Sequence, residues 1–332
     1  MENNPLVSIG LTTYNRPLLF QRMLDSLLSQ TYRNIEIIIG DNSENNETKN
    51  IYEKYAADTR IKYYKHDKNI GMLANGQFVC DMANGKYFMF SSDDDYWDST
   101  FIEKAVEKLE NDPEAVACWP QVQFFDDNGV INNLPSSSYN LDLSNDNSIN
   151  RLIKLNLQQA WCEFFCLVKT DIAKKFKPEN DKVIGGDVIF VNLMALSGKC
   201  LFINETLFYY KYDPTNGNIR HNYKSEIYNE YCRINPMADL FVKCFCLAMT
   251  SKKLNVYEKL FFYGKYWAKI LLSNRGWMYN IAGYPIKIFF MLAIRKRNLS
   301  LIFIFMPFFL FFFMSKIKKS FNCKNKFRKL IH

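Results

Sequence analysis

Short apolar runs rich in β-branched residues alternate with helix-period patterns through the first 125 residues of this 332-residue chain. The runs are Val7–Thr13, Ile35–Gly40, Ile61–Tyr64 and Tyr87–Phe90, and helical patterns cover residues 18–29, 48–57, 72–83 and 99–110. Strands that alternate with helices favour a largely parallel sheet covered by helices. The chain is therefore predicted to be an α/β protein.

The pattern changes after this alternating region. Residues 126–150 are rich in Asn, Asp and Ser and are predicted to form a loop. An apolar segment (161–168), a Gly-Gly-Asp turn (185–187), a helix (188–197) and two short strands near Leu201 and Leu207 are predicted to follow. A second polar stretch, residues 213–225, indicates a linker. We therefore expect one large domain over 1–225 and a separate region over 226–332.

The excess of positive charge lies in the C-terminal quarter. From Lys259 to His332 there are 15 Lys and Arg and no Asp or Glu, which leaves 27 basic and 34 acidic residues before it. Basic residues interleaved with Phe, Ile and Leu fit an anionic membrane surface, whereas a nucleic acid needs charges on an open polar face. Residues 226–332 are therefore predicted to be a helical region that associates with a membrane, with no nucleic-acid partner.

The most apolar part of that region is residues 299–314, which only Ser300 and Pro307 interrupt. As a straight helix it covers roughly 24 Å, less than the roughly 30 Å of a bilayer core. Lys and Arg flank it on both sides, which favours a helix lying in one leaflet. A short or tilted span and a buried helical hairpin are the alternatives.

Cysteine usage and the N-terminus indicate the compartment. The nine cysteines include no Cys-x-x-Cys pair, residues 1–5 are polar, and a β-like run begins at Leu6. The sequence therefore predicts reduced, mostly buried thiols in a cytoplasmic setting, without a signal peptide.

Three successive carboxylates, Asp93, Asp94 and Asp95, follow the apolar run that ends at Phe90. Ligands of open α/β sheets bind beyond the carboxyl ends of the strands. Adjacent carboxylates repel one another, and a divalent cation such as Mg²⁺ or Mn²⁺ relieves that repulsion and also holds a diphosphate. Acids at the start of a helix, beside its positive dipole end, explain the triplet equally simply.

Polar residues end the first two strands at the same predicted edge. Asp41 follows the second strand and offers a carboxylate to a base edge or a ribose hydroxyl, although it also suits a turn cap. Thr12, Thr13, Tyr14 and Asn15 close the first strand, and Arg16 after them is also consistent with an exposed, solvated side chain.

Four ordered segments together resemble the family 2 glycosyltransferases of the GT-A fold. They are the opening Val7–Arg16, Gln30-Thr31-Tyr32 before the strand that ends at Asp41, the turn Asn69-Ile70-Gly71, and the strand entering Asp93-Asp94-Asp95. The likeness covers about residues 5–212 and implies a GT-A, Rossmann-like, mostly parallel sheet flanked by helices.

The resemblance also implies roles for individual residues. Thr13, Tyr14 and Asp41 are expected to line the nucleoside pocket with Asn69 and Asn75 nearby, and Thr12 and Asn15 belong to the same edge. Asp93 is expected to contact ribose, and Asp94, with Asp95, to bind the Mn²⁺ or Mg²⁺ ion that holds the donor diphosphate.

The family's catalytic base lies in a Gly-Glu-Asp or similar turn before a helix, which Gly185-Gly186-Asp187 resembles with Gly in place of the first acid. Asp187 is therefore the expected base, although an acid there also caps the helix. The Gln-x-x-Arg-Trp pattern of processive synthases is absent, since Asn274-Arg275-Gly276-Trp277 lacks its spacing. Transfer of one sugar per encounter is expected.

These expectations combine into one functional hypothesis. The chain is expected to be an inverting glycosyltransferase on the cytoplasmic face of a bacterial inner membrane, moving a sugar from a nucleoside diphosphate sugar to a polyprenyl-diphosphate-linked oligosaccharide during O-antigen or capsule assembly. A dideoxyhexose such as abequose is a narrower expectation for the sugar. The alternatives are a sugar nucleotidyltransferase, which needs a Gly-rich loop where Asn15-Arg16-Pro17 stands, and a non-catalytic nucleotide-sugar sensor or scaffold.

Overall fold

Nine strands form one sheet in the part of the chain that the computed structural model describes, namely residues 4–131, 141–158, 162–177, 186–212, 244, 247–248 and 250–262. The strands are β1 (Val7–Thr13), β2 (Ile35–Asp41), β3 (Ile61–Lys65), β4 (Tyr87–Ser92), β5 (Tyr96–Trp97), β6 (Ala115–Asp126), β7 (Gly129–Val130), β8 (Leu167–Lys169) and β9 (Lys199–Lys211). Their order is β3-β2-β1-β4-β8-β6-β9-β5, with β7 paired to β6.

Among the described residues between Pro17 and Ser197, seven helices accompany this sheet. They are α1 (Pro17–Leu28), α2 (Glu47–Tyr52), α3 (Met72–Asp81), α4 (Phe101–Asn111), α5 (Ser148–Gln158), α6 (Thr170–Ala173) and α7 (Gly186–Ser197). Short 3₁₀ turns cover Glu53–Tyr55 and Cys162–Phe164. The alternation predicted for the first 111 residues is therefore confirmed.

The parallel strands β3, β2, β1 and β4 form one continuous half of the sheet. Thr13 pairs with Asp41 on one side of β1, and Thr12 pairs with Ser92 on the other. Because these strands run in the same direction and end in register, their C-terminal residues reach one edge of the sheet. This edge is the location predicted for ligands.

The other half of the sheet mixes directions. β8 is antiparallel to β4 and β6, β6 and β9 are parallel to each other, and β5 and β7 are antiparallel to their neighbours. Six of the nine described strands thus point the same way, and the prediction of a mostly parallel α/β sheet is correct.

Burial follows the residue patterns that predicted the elements. All seven residues of β2 are buried, and α1 buries Phe20, Met23, Leu24 and Leu27, which lie on one face of the helix. Burying each such large apolar side chain contributes about 1.5–3 kcal/mol relative to exposure. The apolar face of α1 packs into the same core cluster as β1 and β2.

Two predictions for residues 126–211 are wrong. The two short strands predicted near Leu201 and Leu207 are one strand, β9, which pairs with β6 along its length through irregularities at Pro120 and Gln121. The predicted loop 126–150 contains β7 and the start of α5. The residue pattern did not predict the helix α5, because two of its polar residues, Arg151 and Asn156, turn inward and bind other polar groups.

Those inward contacts fasten α5 to α7. Arg151 Nε donates to the Ala195 carbonyl at 3.1 Å, and Asn156 Nδ2 donates to Asn192 Oδ1 at 2.6 Å. Buried polar groups of this kind stabilise a helix pair only when they are hydrogen-bonded. Sequence periodicity does not reveal such pairs, because each partner alone is a residue typical of a loop.

The C-terminal predictions fall mainly outside the described residues. The chain divides into two units, Met1–Leu272 and Ser273–His332, and the second lies wholly beyond the described ranges, as do the predicted boundary at 225/226 and the apolar stretch 299–314. Within those ranges, every helix is too short or too polar to cross a bilayer.

The glycine at the centre of β1 generates a prediction about packing. A Cβ atom on Gly10 would lie 2.7 Å from Phe88 Cζ and 2.7 Å from Val79 Cγ2. Gly10→Ala is therefore expected to lower the free energy of unfolding by about 1–3 kcal/mol, because the neighbouring side chains are buried and fixed. Urea unfolding followed by circular dichroism measures this change.

Gly76→Ala is the matched control, since the nearest atom to its Cβ is Phe90 Cε1 at 3.8 Å. Alanine in this helix is expected to be neutral or to stabilise by up to about 1 kcal/mol. Equal unfolding midpoints for the two variants would contradict the packing assigned to β1.

Candidate active site

The ends of β1 and β4 are joined by a buried hydrogen bond. Thr13 Oγ1 donates to Asp93 Oδ2 at 2.7 Å, and the Asn42 amide donates to the Thr13 carbonyl at 3.0 Å. Thr13 therefore connects the strand end that carries Asp93 with the one that carries Asp41. Thr12, one residue earlier, is partly exposed.

Asn15 shapes the turn after β1. Its φ of 53° lies in the left-handed region, which asparagine adopts more readily than most residues. The Asn15 amide donates to Ser43 Oγ at 2.9 Å, and Asn15 Oδ1 accepts from the Glu44 amide at 3.1 Å. The exposed Tyr14 adds a hydrogen bond from its hydroxyl to Glu44 Oε1 at 3.0 Å. The turns after β1 and β2 are thus held together.

Asp41 is fully buried at the end of β2. Its Oδ1 accepts from the Ser43 amide at 2.7 Å, and its Oδ2 accepts from the Tyr63 hydroxyl. The Tyr63 ring stacks on Tyr52 with centroids 4.3 Å apart. Burial, followed by the hydrogen bond to Asp41, raises the pKa of Tyr63 well above its usual value, so Tyr63 remains a donor. The carboxylate is held in one orientation.

Asn75 on α3 is buried against the same strand. Its Nδ2 donates to the Gly40 carbonyl at 2.8 Å, and its Oδ1 lies 3.0 Å from His66 Nε2. A Cβ atom on Gly40 would lie 2.1 Å from Asn75 Oδ1, so glycine is required for this close approach. Asn75 therefore positions the strand that ends at Asp41.

Asn69 belongs to the turn that precedes α3. Its Oδ1 accepts from the Gly71 amide at 2.8 Å, and its side chain is exposed. The turn is tied to the end of β2, because Asn42 Oδ1 accepts from the Ile70 amide and Asn42 Nδ2 donates to the Gly71 carbonyl, each at 3.2 Å. Asn69 and Asp41 consequently lie on connected loops.

The three carboxylates Asp93, Asp94 and Asp95, here called the acidic triplet, differ in exposure. Asp93 and Asp95 are buried, and Asp94 is partly exposed. Burial raises the pKa of Asp93 to about 6, although Arg16 and Thr13 oppose the shift. Burial and the neighbouring Asp94 raise the pKa of Asp95 well above its usual range. The triplet carries less negative charge than three exposed acids would.

Asp95 connects the triplet to β9. Its Oδ1 accepts from the Lys211 amide at 2.9 Å, while its buried Oδ2 has no hydrogen-bond partner in the described part of the chain. A buried carboxylate oxygen without a donor is costly, which accounts for the proton affinity of this group.

Asp187 lies in the first turn of α7 and accepts from the Val188 amide at 2.8 Å through Oδ1. Burial raises its pKa. Burial also raises the pKa values of the Cys162 thiol and the Tyr210 hydroxyl, and both Asp95 and Asp187 add to these shifts. The charges of Asp95 and Asp187 therefore act on the same two side chains. Gly185, the first residue of the predicted turn, lies outside the described residues.

Two charged residues at the site, Arg16 and Arg22, had no role assigned from the sequence. Arg16, which the sequence left open as a solvated side chain, forms ion pairs with Asp93 Oδ1 at 2.6 Å and Asp94 Oδ2 at 2.7 Å. Arg22 donates to the main-chain carbonyl of Asp94 and lies over the ring of Phe125. Arg16 directly precedes α1 and Arg22 lies within it, but the sequence did not show which residues they contact.

A third overlooked residue is Glu163, in the turn beside Cys162. It is buried, and its Oε2 has no hydrogen-bond partner among the described residues. Burial raises its pKa to about 7. A glutamate within the apolar segment 161–168 is the signal that the sequence offered.

Residues 8–169, which include β1 to β4 and the acidic triplet, match the model described as Glycosyl transferase family 2.

The chain carries a glycosyl transferase family 2 domain.

Relatives of this glycosyltransferase agree with that assignment. It is 25% identical to the uncharacterized glycosyltransferase MJ1057 of Methanocaldococcus jannaschii over 234 residues, which are 69% of this chain and 78% of the relative. It is 36% identical to the UDP-Glc:alpha-D-GlcNAc-diphosphoundecaprenol beta-1,3-glucosyltransferase WfaP of Escherichia coli over 107 residues. That second match covers 32% of this chain and 42% of the relative, and is confined to less than half of either protein.

Solved structures confirm the fold of this glycosyltransferase. TarS residues 1–349 of S. aureus, in complex with UDP-GlcNAc, has a TM-score of 0.61 at 14% identity, over 85% of this chain and 80% of that one. The mannosyltransferase PcManGT of Pyrobaculum calidifontis, with GDP-Man and Mn²⁺, has a TM-score of 0.55 at 14% identity, over 94% and 84%. The predicted GT-A type of α/β fold is correct.

The donor set can be tested for a divalent cation. Over the described ranges no three His, Cys, Asp or Glu side chains converge closely enough to enclose a metal ion. Mg²⁺ and Mn²⁺ do not require such a cage, because they retain waters and take one or two carboxylates together with substrate phosphates. Asp94 is partly exposed, and the nearby Asp95 has an unpartnered oxygen, so these residues fit a cation that arrives with a diphosphate.

Glu163 generates a prediction about pH. The native state keeps a proton on Glu163 up to about pH 7, whereas the unfolded chain releases it near pH 4.5, so stability falls as pH rises between these values. Glu163→Gln removes this dependence. The variant is expected to gain about 3 kcal/mol relative to the wild type between pH 4 and pH 8. Urea unfolding at a series of pH values measures the difference.

Glu36→Gln is the control with the opposite sign. Despite burial, hydrogen bonds from Lys62, Ser8 and Asn84 lower the pKa of Glu36 to about 2. This group stabilises the native state above pH 4.5 and loses that effect as pH falls through 2, so its variant is expected to lose stability relative to the wild type as pH rises. A constant difference for Glu163→Gln would contradict its burial as a protonated acid.

Proposed function

We propose that this glycosyltransferase moves a sugar from a nucleoside diphosphate sugar to a hydroxyl of a lipid-linked oligosaccharide, with inversion and one sugar per encounter. The observation that supports it most is the hydrogen-bonded edge formed by Thr13, Asp41, Asp93 and Asp94 at the ends of three parallel strands. Polar groups held in fixed orientations at such an edge suit a nucleotide.

The nucleoside is proposed to bind along the connected turns of β1, β2 and α3. The residues assigned to it are Thr12, Thr13, Tyr14, Asn15, Asp41, Asn69 and Asn75. Asp41 accepts two internal hydrogen bonds and retains further acceptor capacity for a base or ribose donor. Asp93 is assigned to the ribose, and its raised pKa lets it act as donor or acceptor near neutral pH.

The donor diphosphate is proposed to share a Mn²⁺ or Mg²⁺ ion with Asp94, and with Asp95 if its buried oxygen becomes accessible. A bound divalent cation supplies charge neutralisation to a departing nucleoside diphosphate. The contribution of the chain is to hold Asp94 at the end of β4, where Ser92 Oγ donates to its Oδ1 and Arg16 to its Oδ2.

Asp187 is proposed as the base that takes the proton from the acceptor hydroxyl. Its Oδ1 is fixed by the Val188 amide, and a pKa raised by burial brings a carboxyl closer to the pKa that suits proton transfer at neutral pH. An acceptor oxygen activated on one side of the sugar, with the diphosphate leaving from the other, gives inversion.

The acceptor is proposed to be a polyprenyl-diphosphate-linked saccharide of bacterial surface polysaccharide assembly, reached from the cytoplasmic face of the inner membrane. Two observations support this part. The Escherichia coli relative is named for a GlcNAc-diphosphoundecaprenol acceptor, and the C-terminal quarter of this chain is basic and rich in apolar residues. A membrane-associating region over 226–332 follows from the same composition.

The alternative of a sugar nucleotidyltransferase has less support. Such an enzyme needs free backbone amides in a Gly-rich loop after the first strand. Here the Asn15 amide donates to Ser43 Oγ, and Pro17 begins α1 directly. The alternative of a non-catalytic sensor predicts donor binding without any dependence of transfer on Asp187, which the following experiment tests.

Asp187→Asn separates catalysis from binding. Nucleoside diphosphate sugars, dideoxyhexose donors included, are first screened with Mn²⁺ for a rise in melting temperature, since a bound donor stabilises the native state. The variant is expected to keep that rise, while transfer of the radiolabelled sugar to synthetic polyprenyl-diphosphate-linked saccharides falls by about 10²–10⁴-fold. Butanol extraction of the labelled lipid measures transfer.

Asp171→Asn is the matched control, because this carboxylate on α6 is exposed and paired only with Lys175 at 3.3 Å over the described ranges. Its transfer rate is expected to equal that of the wild type. Undiminished transfer by Asp187→Asn would refute the base, and transfer solely to soluble saccharides would refute the lipid-linked acceptor.

A further inference from the structure

A single guanidinium spans two members of the acidic triplet. Arg16 Nη2 lies 2.6 Å from Asp93 Oδ1, and Arg16 Nη1 lies 2.7 Å from Asp94 Oδ2. The Arg16 side chain is 44% exposed, Asp94 is 23% exposed and Asp93 is fully buried. Arg16 therefore lies on the more exposed side of the triplet and contacts Oδ2 of Asp94.

The local backbone delivers Arg16 to this position. Asn15 turns the chain with its positive φ and is fixed by hydrogen bonds to the turn after β2. Pro17 begins α1 immediately afterwards, which restricts the conformation of Arg16 itself. The side chain thus projects from a rigid junction between strand and helix, and the two ion pairs do not depend on a flexible loop.

The charge balance explains why a cation is needed there. Two buried acids and a partly exposed one follow each other in the chain, and Arg16 supplies one positive charge against them. Both oxygens of Asp94 are engaged, since Oδ1 accepts from Ser92 Oγ and Oδ2 from Arg16. A divalent cation that binds Asp94 through Oδ2 therefore competes with the positive charge of a guanidinium already in contact with that oxygen.

We propose that Arg16 is an internal counter-ion that occupies Asp94 in the donor-free enzyme and gives way to a divalent cation only when a diphosphate arrives with it. This inference rests on the proposed function, because it takes Asp94 as the cation ligand. Two cations at one carboxylate oxygen repel each other. The diphosphate removes this competition for Asp94, because it offers the exposed end of Arg16 a new anionic partner.

The contact between Arg16 and Asp94 affects the order in which the divalent cation and the donor bind. A free divalent cation competes with Arg16 and binds weakly, whereas cation and diphosphate together satisfy both Asp94 and Arg16. The site is thereby protected from holding a cation in an unproductive state. Cation and donor are expected to bind cooperatively, each improving the affinity for the other.

Binding of Mn²⁺ alone to the full-length protein, measured from the electron paramagnetic resonance signal of free Mn²⁺, tests this inference without donor or catalysis. Arg16→Gln is expected to bind Mn²⁺ about tenfold more tightly than the wild type, because the competing charge is removed. Arg60→Gln is the matched control, since Arg60 pairs at 2.7 Å with Asp58 away from the triplet, and its affinity is expected to be unchanged.

The double variant Arg16→Gln/Asp94→Asn locates the effect, and is expected to return to weak Mn²⁺ binding. Arg16→Lys serves if loss of the charge impairs folding, and is expected to lie between the wild type and Arg16→Gln, because an ammonium lacks the planar fork. An Arg16→Gln affinity within about twofold of the wild type, or tight binding that survives loss of Asp94, would overturn the inference. Neither result depends on transfer activity, so the proposed reaction is tested separately.

Discussion

The parallel register of β1, β2 and β4 is the constraint on which the site depends. Thr13 pairs with Asp41 and Thr12 with Ser92, so three strand ends separated by dozens of residues reach one edge together. The hydrogen bond from Thr13 to Asp93 then fixes β4 against β1 at the point where the acids begin. A shift of one residue in β2 would turn Asp41 to the opposite face of the sheet, and the same shift in β4 would displace the acids that follow it. The fold and the site are thus specified by the same pairing.

Charge is the second constraint on the site, because this edge of the sheet carries more acidic than basic side chains. Asp93, Asp95 and Glu163 are all buried with raised pKa values, and each costs stability when ionised. Arg16 relieves part of that cost at Asp93 and Asp94. Strain of this kind at a site is consistent with ligand binding, since a cation and a diphosphate supply the missing partners. The apolar core around β2 and α1 supplies stability that offsets the cost of these buried acids.

Sequence reasoning recovered what depends on local pattern. The bounds of β1 match the structure residue for residue, and Asp93, Asp94, Asp41 and Thr13 lie together as expected. It failed where partners are distant in the chain: Arg16 was left unassigned because Asp94, one of its two acidic partners, comes 78 residues later. The helix α5 and the full length of β9 were missed because inward polar residues and strand irregularities obscure periodicity. The roles of the site residues stay predictions, since geometry alone does not show which ligand they contact.

Affinity cleavage with Fe²⁺ tests the location of the nucleotide and cation most directly. Fe²⁺ takes similar oxygen ligands to Mn²⁺ and, with ascorbate and peroxide, generates radicals that cut the backbone within a few ångströms of the bound ion. In the presence of the nucleoside diphosphate that stabilises the protein, the account predicts cuts within residues 12–16 and 91–97, which disappear in Asp94→Asn. Cuts confined to other segments, or a pattern that Asp94→Asn leaves unchanged, would contradict the proposal that this edge of the sheet is the active site.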